Sequence, residues 1–269
     1  MEVLKATIYP ILVMGGLAAI YALGLGIAAR IFYVYVDPRI AEVEEFLGGA
    51  NCGGCGYAGC SDCAAAIVEG KAPVNACVAV GPDKWEAVAK ILGVSVEAGE
   101  RQVAMIMCRG AKDKAKRKFQ YMGIEDCRAA LLAGGGDKEC QYGCLGLGTC
   151  VKNCPFGALS MGEDGLPKVD KDKCTGCGTC TRVCPRGIPK LVPVSLKIAV
   201  ICSSHDTPPV VKKICEVGCQ GCGLCKKACP EKAITIVDSL SVVDPSKCTL
   251  CGKCFEKCPT GAIQQILPA

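Results

Sequence analysis

Cys174–Pro185 reads CTGCGTCTRVCP, four cysteines within eleven residues, separated by two, two and three residues and followed by proline. The same C-x2-C-x2-C-x3-C-P run recurs at Cys219, Cys222, Cys225 and Cys229, and at Cys248, Cys251, Cys254 and Cys258. The chain has 269 residues, 25 of them cysteine and one of them histidine, His205. Disulfide-dense scaffolds are usually short secreted chains, whereas tight CxxC runs in a long chain suit thiolates sharing metal in a reducing compartment. Zinc favours two separated pairs, often with histidine, so three full copies of the run argue against it.

This spacing is the bacterial ferredoxin signature, in which three thiolates hold one [4Fe–4S] cube and the fourth reaches the other cube of a pair. The four thiols of the quoted run therefore serve two objects. Cys174, Cys177 and Cys180 pair with Cys154, and Cys184 crosses to Cys140, Cys144 and Cys150. In the next domain Cys219, Cys222 and Cys225 pair with Cys258, and Cys248, Cys251 and Cys254 with Cys229. The first run, CQYGCLGLGTCVKNCP, has gaps of three, five and three, and its glycines are expected to absorb the extra residues. Stretches such as GLPKVD, AITIVDS and LSVVD alternate apolar residues with turn formers and predict small hairpins around the cysteine loops.

Four further cysteines, Cys108, Cys127, Cys202 and Cys215, lie before and between these domains. If they converge they make a sixth tetrad; otherwise they are ordinary buried thiols, a common state for cysteine. The basic run KDKAKRK, Lys112–Lys118, reads as a solvated helix face. Its alternative readings are a dock for an acidic electron carrier or for anionic lipid head groups. The formal charge of +5 counts the thiols as neutral. Several four-thiolate clusters would make the loaded protein acidic. The chain also lacks the aromatic–basic interleaving of single-strand binders, so no nucleic-acid partner is expected.

Ala6–Ala29 is a stretch of 24 residues without charge. As a helix it spans about 36 Å, enough for a hydrocarbon core of about 30 Å. Pro10 lies near its start, and Tyr33 and Tyr35 follow at the expected interface. The run is too long for a cleaved signal peptide. Gly15, Ala19, Ala22 and Gly26 share one face, open either to a neighbouring helix or to no partner at all. Arg30 and Arg39 against Lys5 place the cysteine-rich body on the cytoplasmic side, a single pass across the cytoplasmic membrane.

After DPRIAEVEEFLGGA comes NCGGCGYAGCSDC, then Cys77. AAAIVEG and PDKWEAVAKILG predict short helices, the second starting at Pro82 and stopping at Gly93. A helical domain of this size needs a staple, and four of Cys52, Cys55, Cys60, Cys63 and Cys77 suffice for one metal site.

The order of parts resembles the B-subunit family of Rnf complexes, membrane-bound ferredoxin:NAD oxidoreductases that pump sodium ions or protons. The resemblance rests on the N-terminal helix, NCGGCGYAGC with Cys77 beyond it, CQYGCLGLGTC and the ferredoxin repeats. It implies Cys52, Cys55, Cys60 and Cys77 as ligands, with Cys63 spare. It implies an iron–sulfur electron-transfer subunit carrying five or six [4Fe–4S] clusters. Electrons would come from reduced ferredoxin and pass to membrane subunits that bind flavin and NAD and move the ion. The chain shows no glycine fingerprint for NAD or flavin, so hydride transfer is expected on another subunit, and the uncharged span places the ion path elsewhere. The alternative is a membrane-tethered polyferredoxin of another reductase or hydrogenase; a structural or storage iron–sulfur protein is a third class.

The expected fold is one transmembrane helix, a small helical four-iron domain and α+β tandem two-cluster ferredoxin-like domains. The expected ranges are an anchor at 1–36, the N-terminal cluster domain at 37–100 and a linker with further cysteines at 101–139. A first ferredoxin-like domain at 140–190, an insert at 191–218 and a second such domain at 219–269 follow.

Overall fold

The computed structural model describes residues 2–32, 35–95 and 100–266. It divides into Met1–Ile40 and Ala41–Ala269. The first unit is dominated by one helix, Glu2–Ile31, which starts four residues ahead of the uncharged run and so carries Pro10 further inside it. Its segment Ile11–Ile31 has a mean hydropathy of 2.2 and none of it is buried. Side chains such as Leu12, Tyr21 and Leu25 stand fully out, which suits a lipid environment and not water. Tyr33 lies outside the described residues.

The helices Pro38–Phe46, which begins in the first unit, Cys60–Val68 and Pro82–Leu92 bury Val43, Ile67, Trp85 and Val88. Pro82 opens the third of these, and Gly93, at φ +67°, closes it in the left-handed conformation that glycine adopts without strain. Trp85 Nε1 donates to the Cys77 carbonyl at 2.9 Å, so the helix core fixes the Cys77 backbone directly.

The strands, in chain order, are β1 (Gln102–Ile106), β2 (Leu159–Met161), β3 (Pro167–Val169), β4 (Pro189–Pro193), β5 (Ile198–Val200), β6 (Ile234–Val237), β7 (Leu240–Val243) and β8 (Ile263–Gln265). Among the described residues they form four antiparallel pairs, β1–β4, β2–β3, β5–β8 and β6–β7. The architecture is thus a repeat. Each half has an inner hairpin between its two cysteine runs and an outer pair whose first strand precedes the first run. The ranges expected as linker and insert supply those outer strands, β1 and β5. Both are short and apolar and lie away from the cysteine runs, so spacing did not mark them.

Little conventional core supports this. Cys150, Cys174 and Cys180 are themselves core residues beside Val103, Leu159 and Val192. Cys219, Cys225 and Cys254 play the same part beside Ile234 and Ile263. Lys112–Lys118 is not a helix face. Ala115 bridges to Cys215 and Arg117 to Lys138, both antiparallel. Lys116 N donates to Ile214 O at 2.9 Å, Glu216 N to Lys114 O at 3.0 Å and Glu139 N to Lys116 O at 3.0 Å. The lysines face solvent while Ala115 is buried, a turn at Lys112–Lys114 followed by a short bridged segment that the dense charge conceals.

Candidate metal centres

Each of four short helices begins with a glycine in the left-handed region, and the cysteine two residues on sits in the first turn. The pairs are Gly148 and Cys150, Gly178 and Cys180, Gly223 and Cys225, and Gly252 and Cys254, with φ between +72° and +76°. A Cβ would strain that conformation, which is how the chain turns sharply enough to aim successive thiols inward.

All 25 cysteines are free of disulfides. Most converge on separate cavities. One of about 320 Å³ is lined by Cys154, Cys174, Cys177 and Cys180. A second of about 390 Å³ is lined by Cys127, Cys144, Cys150 and Cys184. A third of about 430 Å³ is lined by Cys108, Cys140, Cys202 and Cys215. The N-terminal cavity, about 330 Å³, has all five of Cys52, Cys55, Cys60, Cys63 and Cys77 on its wall. Cys184 therefore stands apart from the other three thiols of its own run. In the second half Cys254 has Cys248 and Cys229 as charge neighbours, and Cys225 has Cys219 and Cys222. Cys258 packs on the same core.

In one place the grouping differs from the expected one. Cys140 does not join Cys144, Cys150 and Cys184; Cys127 does. The signal was in the spacing. Counted from Cys144, the positions 144, 147, 150 and 154 reproduce the strict run, with Leu147 in the second place. In that register the run lacks one thiol and has no extra residues for its glycines to absorb. Cys127 opens the helix Cys127–Leu132, capped by Asp126, and its N–H donates to Thr149 Oγ1 at 2.7 Å, beside Cys150.

The donor sets fit iron–sulfur clusters. Each cavity presents sulfur alone among its strong ligands. Among the described residues no three His, Cys, Asp or Glu come together tightly enough for a single ion. Two buried polar atoms without partners lie at these walls, Thr175 Oγ1 at the Cys154 cavity and Arg186 Nε at the Cys127 cavity. A sulfide or thiolate there would give each an acceptor. Backbone N–H groups already point at sulfur, Ala104 N at Cys174 Sγ (3.3 Å) and Ile188 N at Cys184 Sγ (3.4 Å). Burial pushes the Cys144 and Cys180 thiols up to about 12 and Cys150 up to about 11. Thiols so placed are poor nucleophiles until a metal's charge draws off the proton. Cys258 goes the other way. Burial raises it, but N–H groups of Ile263, Thr260 and Ala262 and the Thr260 hydroxyl outweigh that and hold it low.

The N-terminal cavity adjoins the cavity of Cys174, Cys177 and Cys180. Arg182 donates to Gly53 O at 2.6 Å and Cys52 O at 3.1 Å, tying the N-terminal cavity to the run that follows Cys174. A Cβ on Gly54 would lie 2.5 Å from the Cys177 carbonyl oxygen, so only glycine permits that approach.

Comparison with known proteins supplies the family. A family model for an Fe-S cluster matches residues 47–79. The 4Fe-4S dicluster domain model matches residues 139–188 and 218–262. The chain is 44% identical over 245 residues to the B subunit of the Na(+)-translocating ferredoxin:NAD(+) oxidoreductase complex of Acetobacterium woodii, spanning 91% of this chain and 74% of that one. It is 45% identical over 254 residues to the B subunit of the ion-translocating oxidoreductase complex of Methanosarcina acetivorans, spanning 94% and 96%. Against the B subunit of the proton-translocating ferredoxin:NAD(+) oxidoreductase complex of Clostridium ljungdahlii the identity is 46% over 267 residues, 98% and 94% of the two chains. The ions in these names differ at nearly equal identity, so what the relatives share with this chain is the iron–sulfur body and not a choice of ion. With that body, its apolar helix and relatives matched over nine-tenths of its length, the chain belongs to the B-subunit family of ion-translocating Rnf oxidoreductase complexes.

Proposed function

We propose that the chain takes electrons from reduced ferredoxin and relays them, one at a time, to membrane subunits of its complex that bind flavin and NAD and move sodium ions or protons. The observation that carries this is the convergence of its thiols on separate, adjoining cavities. A [4Fe–4S] cluster supplies one-electron exchange at low potential. The ligand sets we assign are Cys52, Cys55, Cys60 and Cys77; Cys154, Cys174, Cys177 and Cys180; Cys127, Cys144, Cys150 and Cys184; Cys219, Cys222, Cys225 and Cys258; and Cys229, Cys248, Cys251 and Cys254. Two tandem ferredoxin-like domains thus follow one helical cluster domain. Backbone N–H groups aimed at sulfur tune each set, as do burial and nearby cations. The helix at Glu2–Ile31 anchors the body to the membrane, on the cytoplasmic face by the arginine bias and by the need for reduced thiols. Hydride transfer falls to another subunit.

The relatives do not favour the reading as a polyferredoxin of a different reductase or hydrogenase. The test is a redox titration of anaerobically purified chain followed by electron paramagnetic resonance, with ferredoxin as reductant. Reversible reduction in the low-potential range is expected. Clusters that do not reduce, or zinc in place of iron, would overturn the relay.

A further inference from the structure

We infer that Cys108, Cys140, Cys202 and Cys215 hold a sixth [4Fe–4S] cluster that joins the two halves into one continuous wire. This deepens the relay reading above and rests on it. Cys108, Cys202 and Cys215 lie outside every family-model match, so no recognised motif assigns the site.

Four thiols line one cavity, the same donor set and similar size as the two other cavities of the first half. They come from four separate segments, each held by its own contacts. Cys108 follows β1 by two residues, and Cys202 follows β5 by two. The repeat therefore delivers one thiol from the same place in each half. The bridged basic segment Lys114–Arg117 lies between the Glu139 and Ile214–Glu216 backbones, which brings Cys140 and Cys215 to the same wall. Ser203 Oγ donates to Met107 O at 3.0 Å, and Arg109 reaches the Gly261 carbonyl of the second half.

Lys138 is the independent sign of a ligand. It is 2% exposed and lines this cavity. Its Nζ donates to the Gly110 carbonyl, and among the described residues it has no ion-pair partner. A buried ammonium without a counter-charge is costly. A four-thiolate cluster, which is an anion, supplies the missing counter-charge. A single zinc ion has bonds to sulfur of about 2.3 Å, and among the described residues no three such donors stand close enough to hold one ion.

The site touches both neighbours. Cys144 N, from the Cys127 cavity, donates to Cys108 Sγ at 3.3 Å. Cys202 packs on the core that contains Cys219 and Cys225. One electron enters from the set on one side, which is oxidised by one unit. One leaves to the set on the other side, which is reduced by one. No bond is made or broken.

The test is iron and acid-labile sulfide on the full chain, purified anaerobically. About 24 irons are expected, and about 20 in Cys202→Ser and in Cys215→Ser, with the other resonances intact. Lys138→Gln should move the midpoint of this set to lower potential, because the cation favours the more negative reduced form. A wild-type chain with about 20 irons that still reduce reversibly would overturn the sixth cluster and leave the relay standing. So would one zinc per chain beside those irons, or serine variants that keep every iron. If either variant does not fold, the wild-type count decides.

Discussion

The two halves of the iron–sulfur body carry the same repeat but use their cysteines differently. Residues 219–258 contain two strict runs, and we assign all eight of their thiols to the two sets of that half. In the first half one run is strict and the other has Leu147 where the strict spacing puts cysteine. Cys127 fills the gap from a helix start upstream, held there by Thr149. Cys140 is thereby released to the cavity shared with the second half. The lesson is that the spacing of a run fixes where thiols are wanted, and the fold settles which thiol arrives.

The largest effects test that substitution. Cys184→Ser and Cys127→Ser should each remove about four irons and the same resonance, leaving the set of Cys154, Cys174, Cys177 and Cys180 intact. Cys140→Ser should spare that resonance and remove a different one. In the Cys127→Ser background, Leu147→Cys restores the strict run and should recover most of the lost iron. Loss of the Cys127-dependent resonance in Cys140→Ser would return Cys140 to the first half and end the comparison.

A smaller effect concerns where electrons enter. Cys222 and Cys251 are exposed in the second half, whereas their counterpart Cys177 is half-buried against Gly54. Lys226 and Lys227 lie in the last turn of the helix that carries Cys225, and Lys253 beside Cys254. A cationic surface over exposed ligands steers an acidic donor. Lys226→Glu with Lys227→Glu should slow reduction by ferredoxin about tenfold at low ionic strength. The difference should fade towards 1 M salt, where the Debye length falls to about 3 Å. The equivalent reversal at Lys152, in the first half, should leave the rate unchanged. An equal slowing from Lys152→Glu would move the entry point.

Much of this was legible in the residues. The strict runs and the cross-pairing they imply follow from the geometry of a cube, which leaves little freedom in the spacing. The helix Pro82–Leu92 showed its apolar face, its opening proline and its closing glycine. The hairpin β6–β7 showed its alternation. What escaped was long-range. Nothing local says that Cys127 lies beside Thr149, or that Cys108 and Cys202 occupy matching places after outer strands of three to five residues. KDKAKRK escaped because its exposed charges surround only one buried residue, Ala115, too short a pattern to betray the bridges it makes.

The N-terminal domain marks the limit of the comparison, since five thiols share its one cavity. Cys63 is 1% exposed on the helix Cys60–Val68, and burial, with the neighbouring Cys55, pushes it up to about 12. Cys60 precedes it on the same helix, and Asn51 Oδ1 accepts from Cys60 N at 2.7 Å. Cys77 is fixed by Trp85. Those two have supports that set their place, whereas Cys63 belongs to the buried face of its helix with Ala64, Ala66 and Ile67, where a thiol can serve as a small hydrophobe. Cys63→Ala should therefore keep every iron and lower stability by about 1 kcal/mol, the order expected for deleting one buried methyl-sized group. Cys77→Ala should lose about four irons. If Cys63→Ala lost them instead, the N-terminal set would be Cys63 with three of the other four, and the domain would follow the first half in taking a ligand from outside its expected pattern.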